Sequence, residues 1–110
     1  MKFCLPSLES EVLSDKVTRQ RLAGERLEFI RYRYQAGAVF ARHQHEAEQL
    51  TIVLRGKLVF TFDDEEVSLE AGDALLIASN RAHGAFVPND AEETLTYNLF
   101  SPVRQQLPLA

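Results

Sequence analysis

The chain of 110 residues has a single cysteine, no tryptophan and only three histidines, and its five glycines and four prolines stand singly along the sequence. One cysteine, Cys4, excludes an intramolecular disulfide framework and fits a reducing compartment. No apolar run approaches the length that spans a bilayer. Charge arrives at Glu9 and Glu11 before an apolar segment of leader length has formed. These absences lead us to expect a soluble cytoplasmic protein with no membrane partner. A one-signed charge excess is lacking too. Twelve basic residues are interspersed among 16 acidic ones for a net charge of −4, so there is no electrostatic footprint for a nucleic acid.

What is present is ordinary globular composition, 45% hydrophobic and 25% charged, in a chain long enough for one domain with one modest core. Residues 1–16 show no clear period and read as an N-terminal arm. From Val17 the pattern turns to β-branched and aromatic residues. Val17 to Leu22 and Leu27 to Tyr34, separated by Ala23-Gly24-Glu25, read as a hairpin whose second strand places Ile30, Tyr32 and Tyr34 on one face and Arg31 and Arg33 on the other. Further strands are expected at Gln49 to Leu54, Lys57 to Phe62, Glu66 to Glu70, Ala74 to Ala78, His83 to Val87 and Thr94 to Phe100. Gly37, Gly56 and Gly72 punctuate turns. Eight or nine short strands at turn spacings of about ten residues, with no segment holding a helical period, define an all-β sandwich or barrel. The domain runs over 17–104 and leaves a proline-interrupted tail at 105–110.

The chemistry concentrates between Gly37 and Gly56. His43 and His45 are two residues apart, and in an extended chain that spacing puts both imidazoles on one face. Gln49 shares their parity if the strand runs without a bulge, while Gln44, Glu46 and Glu48 point away. Such a face reads as a metal site; its plainer readings are a surface pair or a satisfied core pair, with Gln49 a buried amide. The remaining histidine is His83. Gln49 to Leu54 is apolar or small on both faces, as in a strand covered on both sides.

The order Gly37, five residues, His43-Gln44-His45, three residues, Gln49, six residues, Gly56 resembles the first motif of the cupin superfamily, with Gln49 where Glu is usual. Gly72 and His83 match the second motif in spacing, although Ala78, Asn80 and Val87 replace its Pro, second Gly and Asn. The resemblance implies a double-stranded β-helix, or jelly-roll barrel, over most of the chain, with His43, His45, Gln49 and His83 as ligands to an ion inside it. Three imidazoles and an amide oxygen suit a divalent first-row ion such as Fe, Mn, Co, Ni, Cu or Zn. A neutral Gln49 leaves the ion its full charge and holds it less tightly. Four ligands on an octahedral ion leave two positions open.

The segment Tyr97-Asn98-Leu99-Phe100-Ser101-Pro102-Val103-Arg104 resembles the ending of one group of small cupins, which includes enzymes of pectin and alginate breakdown that convert cyclic unsaturated uronates into linear ketonised sugar acids. That resemblance carries active-site roles onto Asn98, Phe100 and Arg104, with Asn98 where those enzymes have Asp. An amide orients a hydroxyl but cannot take its proton. The expected function is therefore a metal-binding cupin of carbohydrate metabolism, an isomerase that linearises or tautomerises an unsaturated uronate or related small sugar acid by Lewis-acid catalysis. Alternatives are a mononuclear non-haem iron dioxygenase and a cupin that binds or senses a small molecule without turnover. The expected partners are a polar or anionic small molecule and a second copy of the chain, because the two apolar faces of Gln49 to Leu54 exceed what one barrel interior can cover.

Overall fold

The computed structural model describes residues 1–104, which form ten strands, most of them turning every second residue inward. They are β1 (Ser10–Ser14), β2 (Val17–Ala23), β3 (Glu28–Tyr34), β4 (Val39–His43), β5 (Glu48–Arg55), β6 (Lys57–Thr61), β7 (Glu66–Glu70), β8 (Ala74–Ile77), β9 (His83–Phe86) and β10 (Thr94–Ser101). One sheet has the order β1-β2-β3-β10-β5-β8 and the other β4-β9-β6-β7. The chain passes back and forth between the two antiparallel sheets, as in a jelly-roll barrel. Within residues 1–16, expected as an arm, a 3-10 turn at Leu5–Ser7 precedes β1, which pairs with β2 at the sheet edge. The expected tail at 105–110 lies outside the described residues.

Strict alternation on β3 puts Ile30, Tyr32 and Tyr34 inside, against Val53, Leu58, Phe60, Ile77 and Phe100 from the strands around them. This sandwiched set is the core. On β5 the inner face is Gln49, Thr51 and Val53, so the strand sends polar groups into the barrel at one end and an apolar one at the other. Gly56 turns β5 into β6 at φ +82°, and a Cβ there would meet the Thr94 Oγ1 atom at 2.1 Å. Only glycine fits that corner.

The stretch expected to run as one strand past both histidines does not. β4 ends at His43, β5 begins at Glu48, and residues 44–47 cross from one sheet to the other. β4 also carries an extra residue. Phe40 pairs with Ala85 and His43 with His83, so three steps on β4 match two on β9. This bulge turns His43 inward, where unbroken alternation from the inward Phe40 would have sent it out. Parity therefore selected residues that the fold does bring together, but through a geometry the chain does not adopt: His43 is aimed by a bulge and His45 by a crossover.

Candidate metal centre

Three elements deliver the histidines. His43 closes β4, His83 opens β9 directly across from it, and His45 lies in the crossover whose buried Ala47 anchors it to the barrel. The ring centroids of His43 and His83 are 4.5 Å apart, those of His45 and His83 5.1 Å, and those of His43 and His45 5.4 Å. Their ligand-capable nitrogens all lie within 4.8 Å of one another, so a small contraction surrounds one ion at bond lengths of about 2.1 Å.

Local hydrogen bonds fix each ring. His43 Nδ1 faces the Ala41 carbonyl at 3.1 Å, His45 Nδ1 that of Ala47 at 2.8 Å, and His83 Nδ1 that of Arg81 at 2.7 Å. A carbonyl oxygen only accepts, so each Nδ1 carries the proton and each Nε2 presents a lone pair. His83 Nε2 is buried and has no hydrogen-bond partner among the described residues. Burial pushes the His83 pKa down to about 4 against the opposing Arg81 carbonyl, with help from the neighbouring histidines and Arg104. Burial also lowers that of His43, reinforced by His45 and Arg104. Both rings are neutral at physiological pH, the form in which imidazole binds a metal. An orphaned buried lone pair and a thiolate-free set of nitrogen and oxygen donors fit a divalent first-row ion.

Gln49 joins this cluster from β5. Its Oε1 lies 3.1 Å from His45 Nε2, and its Nε2 donates to Thr51 Oγ1 at 2.9 Å. Glu46 and Glu48 are exposed, as their parity predicts, and take no part. The Asn80 backbone N–H donates to the His45 carbonyl at 2.8 Å, and Asn80 itself sits at φ +62°. Asparagine tolerates that left-handed conformation better than other residues with a side chain. Asn80 stands at the position where the cupin motif has its second glycine.

The C-terminal strand closes one side. Phe100 is buried with its ring edge-on to His45 at 5.8 Å between centroids. Arg104 stacks over the Phe100 ring at 3.6 Å and is held by Glu28, whose Oε1 accepts from Arg104 Nε at 3.1 Å and from its backbone N–H at 3.2 Å. Glu28 Oε2 accepts from Arg104 Nη2 at 3.4 Å and from Arg21 Nε at 2.8 Å. Arg104 Nη1 is buried without a hydrogen bond among the described residues. Asn98 is buried on the inner face of β10. It donates to the Ile30 carbonyl at 3.2 Å and to Thr96 Oγ1 at 2.8 Å, and accepts from Thr51 Oγ1 at 2.7 Å. Tyr32 and Tyr34, which the sequence leaves between core and pocket, line with His83, Asn98, Phe60 and Phe100 a cavity of about 20 Å³, room for roughly one water.

Glu28 and Thr51 escaped the sequence reading. Each carried a signal: Glu28 is a charged residue at the inward parity of Ile30 and Tyr32, and Thr51 shares the inward parity of Gln49.

The two-sheet barrel, with histidines arriving from β4, β9 and the crossover, defines a cupin-type centre. The profile of the cupin domain matches residues 30–98, and the chain belongs to the cupin family. It is similar to the solved structure of KdgF from a Halomonas species, at 27% identity over 94% of each chain and a TM-score of 0.83. An RmlC-like cupin from Shewanella frigidimarina is 26% identical over 91% of this chain and 88% of its own, with a TM-score of 0.81. The polyketide cyclase RemF from Streptomyces resistomycificus shares the fold at a TM-score of 0.80 and 17% identity, over 98% of this chain and 83% of its own. A search among curated protein sequences returns no match. Among the described residues, no helix is long and apolar enough to cross a membrane.

Proposed function

We propose that this cupin holds a divalent transition-metal ion on His43, His45, His83 and Gln49 and acts with it on a polar or anionic small molecule, ring-opening of an unsaturated uronate being the reaction it fits best. The observation that carries the reading is the common setting of the three imidazoles, each with Nδ1 spent on a backbone carbonyl and Nε2 left as a lone pair. An ion bound there supplies Lewis acidity toward a carboxylate or ring oxygen. Arg104 offers its spare Nη1 to the substrate carboxylate while Glu28 holds the rest of the guanidinium still. Phe100 walls the site beside His45. Tyr34, its hydroxyl pushed well above the usual range by burial, keeps its proton at neutral pH and can give it up only as a donor to bound substrate. The likeness to KdgF and the resemblance of the last strand to the uronate-converting cupins support the substrate class.

A second reading is favoured by two observations. The cavity is far smaller than a sugar ring, and the donors of Asn98 are engaged with Ile30 and Thr96. A cupin that binds metal and ligand at its mouth without turnover accounts for both. The experiment is metal analysis of purified protein followed by anaerobic assay of an unsaturated uronate in the ultraviolet. Loss of absorbance in wild type but not in His83→Ala supports the isomerase, oxygen consumption under aerobic conditions supports the dioxygenase, and neither supports the binder. Metal content unchanged by both His45→Ala and His83→Ala would overturn the ligand assignment.

We also propose a homodimer formed through the outer face of the six-stranded sheet. Phe29, Leu99, Leu50 and Leu76 are paired across β3, β10, β5 and β8 and form an apolar row, and the adjacent row includes Tyr97 and Ile52. Leu76 is 61% exposed and Leu54 41%. A contiguous apolar face of this kind marks an association surface. The exposed free thiol of Cys4 fits the cytoplasmic location we propose.

A further inference from the structure

A buried chain of hydrogen bonds runs behind the metal centre from β5 to β3, and its direction is fixed at one end. The Ile30 carbonyl is an acceptor only, so Asn98 must turn its amide nitrogen toward it, at 3.2 Å, and its oxygen toward Thr51. Thr96 Oγ1 takes the other amide proton at 2.8 Å and passes its own hydroxyl proton to Tyr34 Oη at 3.2 Å. Thr51 has one hydroxyl proton and spends it on Asn98 Oδ1 at 2.7 Å, which leaves Oγ1 able only to accept. Gln49 must therefore present its amide nitrogen to Thr51 and its oxygen to His45. Shape alone does not distinguish the two ends of a glutamine amide; the polarity of this chain does.

The consequence lies at His45. Its Nδ1 donates to Ala47, so its Nε2 and Gln49 Oε1 face each other at 3.1 Å as two acceptors. Two lone pairs held together by a network that forbids the amide to flip make a cation seat. An amide free to rotate would instead satisfy His45 with its own N–H and withdraw from ligation.

We propose that Thr51, backed by Asn98, is a positioning residue that locks the Gln49 amide with its oxygen toward the ion. The inference rests on the metal-site reading above and deepens it. A carboxylate at position 98 would still accept from Thr51 but would face the Ile30 carbonyl, to which Asn98 donates, with no proton to offer.

The test uses Co(II) as the probe, with affinity measured by competition against a chelator and geometry by the visible spectrum of the loaded protein. Thr51→Val keeps the shape and removes the acceptor, Thr51→Ser keeps the hydroxyl, and Gln49→Ala reports loss of the ligand itself. We expect Thr51→Val to weaken Co(II) binding by about 10- to 100-fold and to shift the spectrum toward that of Gln49→Ala, with Thr51→Ser close to wild type. Should Thr51→Val fail to fold, Thr51→Ala removes the same acceptor without added bulk and is read the same way. If Thr51→Val matches wild type while Gln49→Ala is weakened, the positioning role is wrong and the ligand reading stands. If Gln49→Ala also matches wild type while His83→Ala abolishes binding, Gln49 is no ligand, and the role assigned to Thr51 falls with it. Wild-type protein that takes up no Co(II) overturns both.

Discussion

Replacing Glu28 by Gln removes one negative charge from between two guanidiniums. Glu28 is fully buried, Arg104 nearly so, and the Arg21 side chain is 31% exposed. After the substitution Arg21 can turn to water, but Arg104 is left as a buried cation with no counter-charge at position 28, facing an amide oxygen there, the Tyr32 hydroxyl and the ring of Phe100. Breaking a buried pair by removing one partner costs about 3–5 kcal/mol, and the escape open to Arg21 puts this case near about 3 kcal/mol. At about 4 °C per kcal/mol for a domain of this size, the melting temperature should fall by about 12 °C at pH 7. The pH dependence has a definite sign. Burial pushes the Glu28 carboxyl up, and the hydrogen bonds and charge of Arg104 and Arg21 more than offset it, so its folded pKa lies below the unfolded one. Its contribution is complete above the unfolded value, about 4.3, and is lost as pH falls through the folded value. Thermal unfolding followed by circular dichroism should therefore show a wide gap between wild type and Glu28→Gln at pH 7 that narrows below about pH 4. A gap under about 2 °C at pH 7, or one of equal size at every pH, would refute the reasoning.

Asn98→Asp places a carboxylate 3.2 Å from the Ile30 carbonyl, so the new group should bind a proton to stay buried. Its folded pKa then lies above the unfolded one, and urea denaturation should find the variant losing stability relative to wild type as pH rises from about 4 to 7, by roughly 2 kcal/mol or more. Gly56→Ala forces a Cβ to within 2.1 Å of Thr94 Oγ1 at φ +82°, and chemical denaturation should show a loss of at least about 2 kcal/mol. Leu50→Glu with Leu76→Lys should leave the fold intact by circular dichroism and give a monomer in sedimentation at concentrations where wild type is a dimer; a wild-type monomer at micromolar concentration removes the dimer proposal.

The barrel was legible because its signals are local and redundant. Alternation on β3, the glycine corner at Gly56 and the short apolar runs of β5 to β10 each fix a strand without reference to the others. β1 was not, because Ser10 to Ser14 is exposed along nearly its whole length and only Leu13, partly buried, packs against the core. The histidine segment shows a different limit. Spacing selected His43, His45 and Gln49, yet the straight strand that motivated the selection is absent: a bulge delivers His43, a crossover His45 and the next strand Gln49. A bulge costs one residue of register and leaves no mark in composition, so only the β4–β9 pairing reveals it.

Arg104 and Asn98 were chosen from the sequence for what they might do to a substrate, and the fold gives both a second set of partners. Arg104 is spent on Glu28 except at Nη1, and Asn98 is tied to Ile30, Thr96 and Thr51. None of these partners is near them in sequence except Thr96, so pattern reading could not have supplied the ties. What it did supply was parity. Glu28, Thr51 and Asn98 all fall at inward positions of their strands, and a polar residue in such a place must be hydrogen-bonded to something. On β5 and β10, which lie side by side in one sheet, two of these residues bond each other across the strands, Thr51 to Asn98, while Glu28 on β3 is bound instead by Arg21 and Arg104. The network's end at Gln49 then joins position 98 to the metal centre: the polarity that the Asn98 amide takes from the Ile30 carbonyl passes through Thr51 to the Gln49 amide, whose oxygen faces His45.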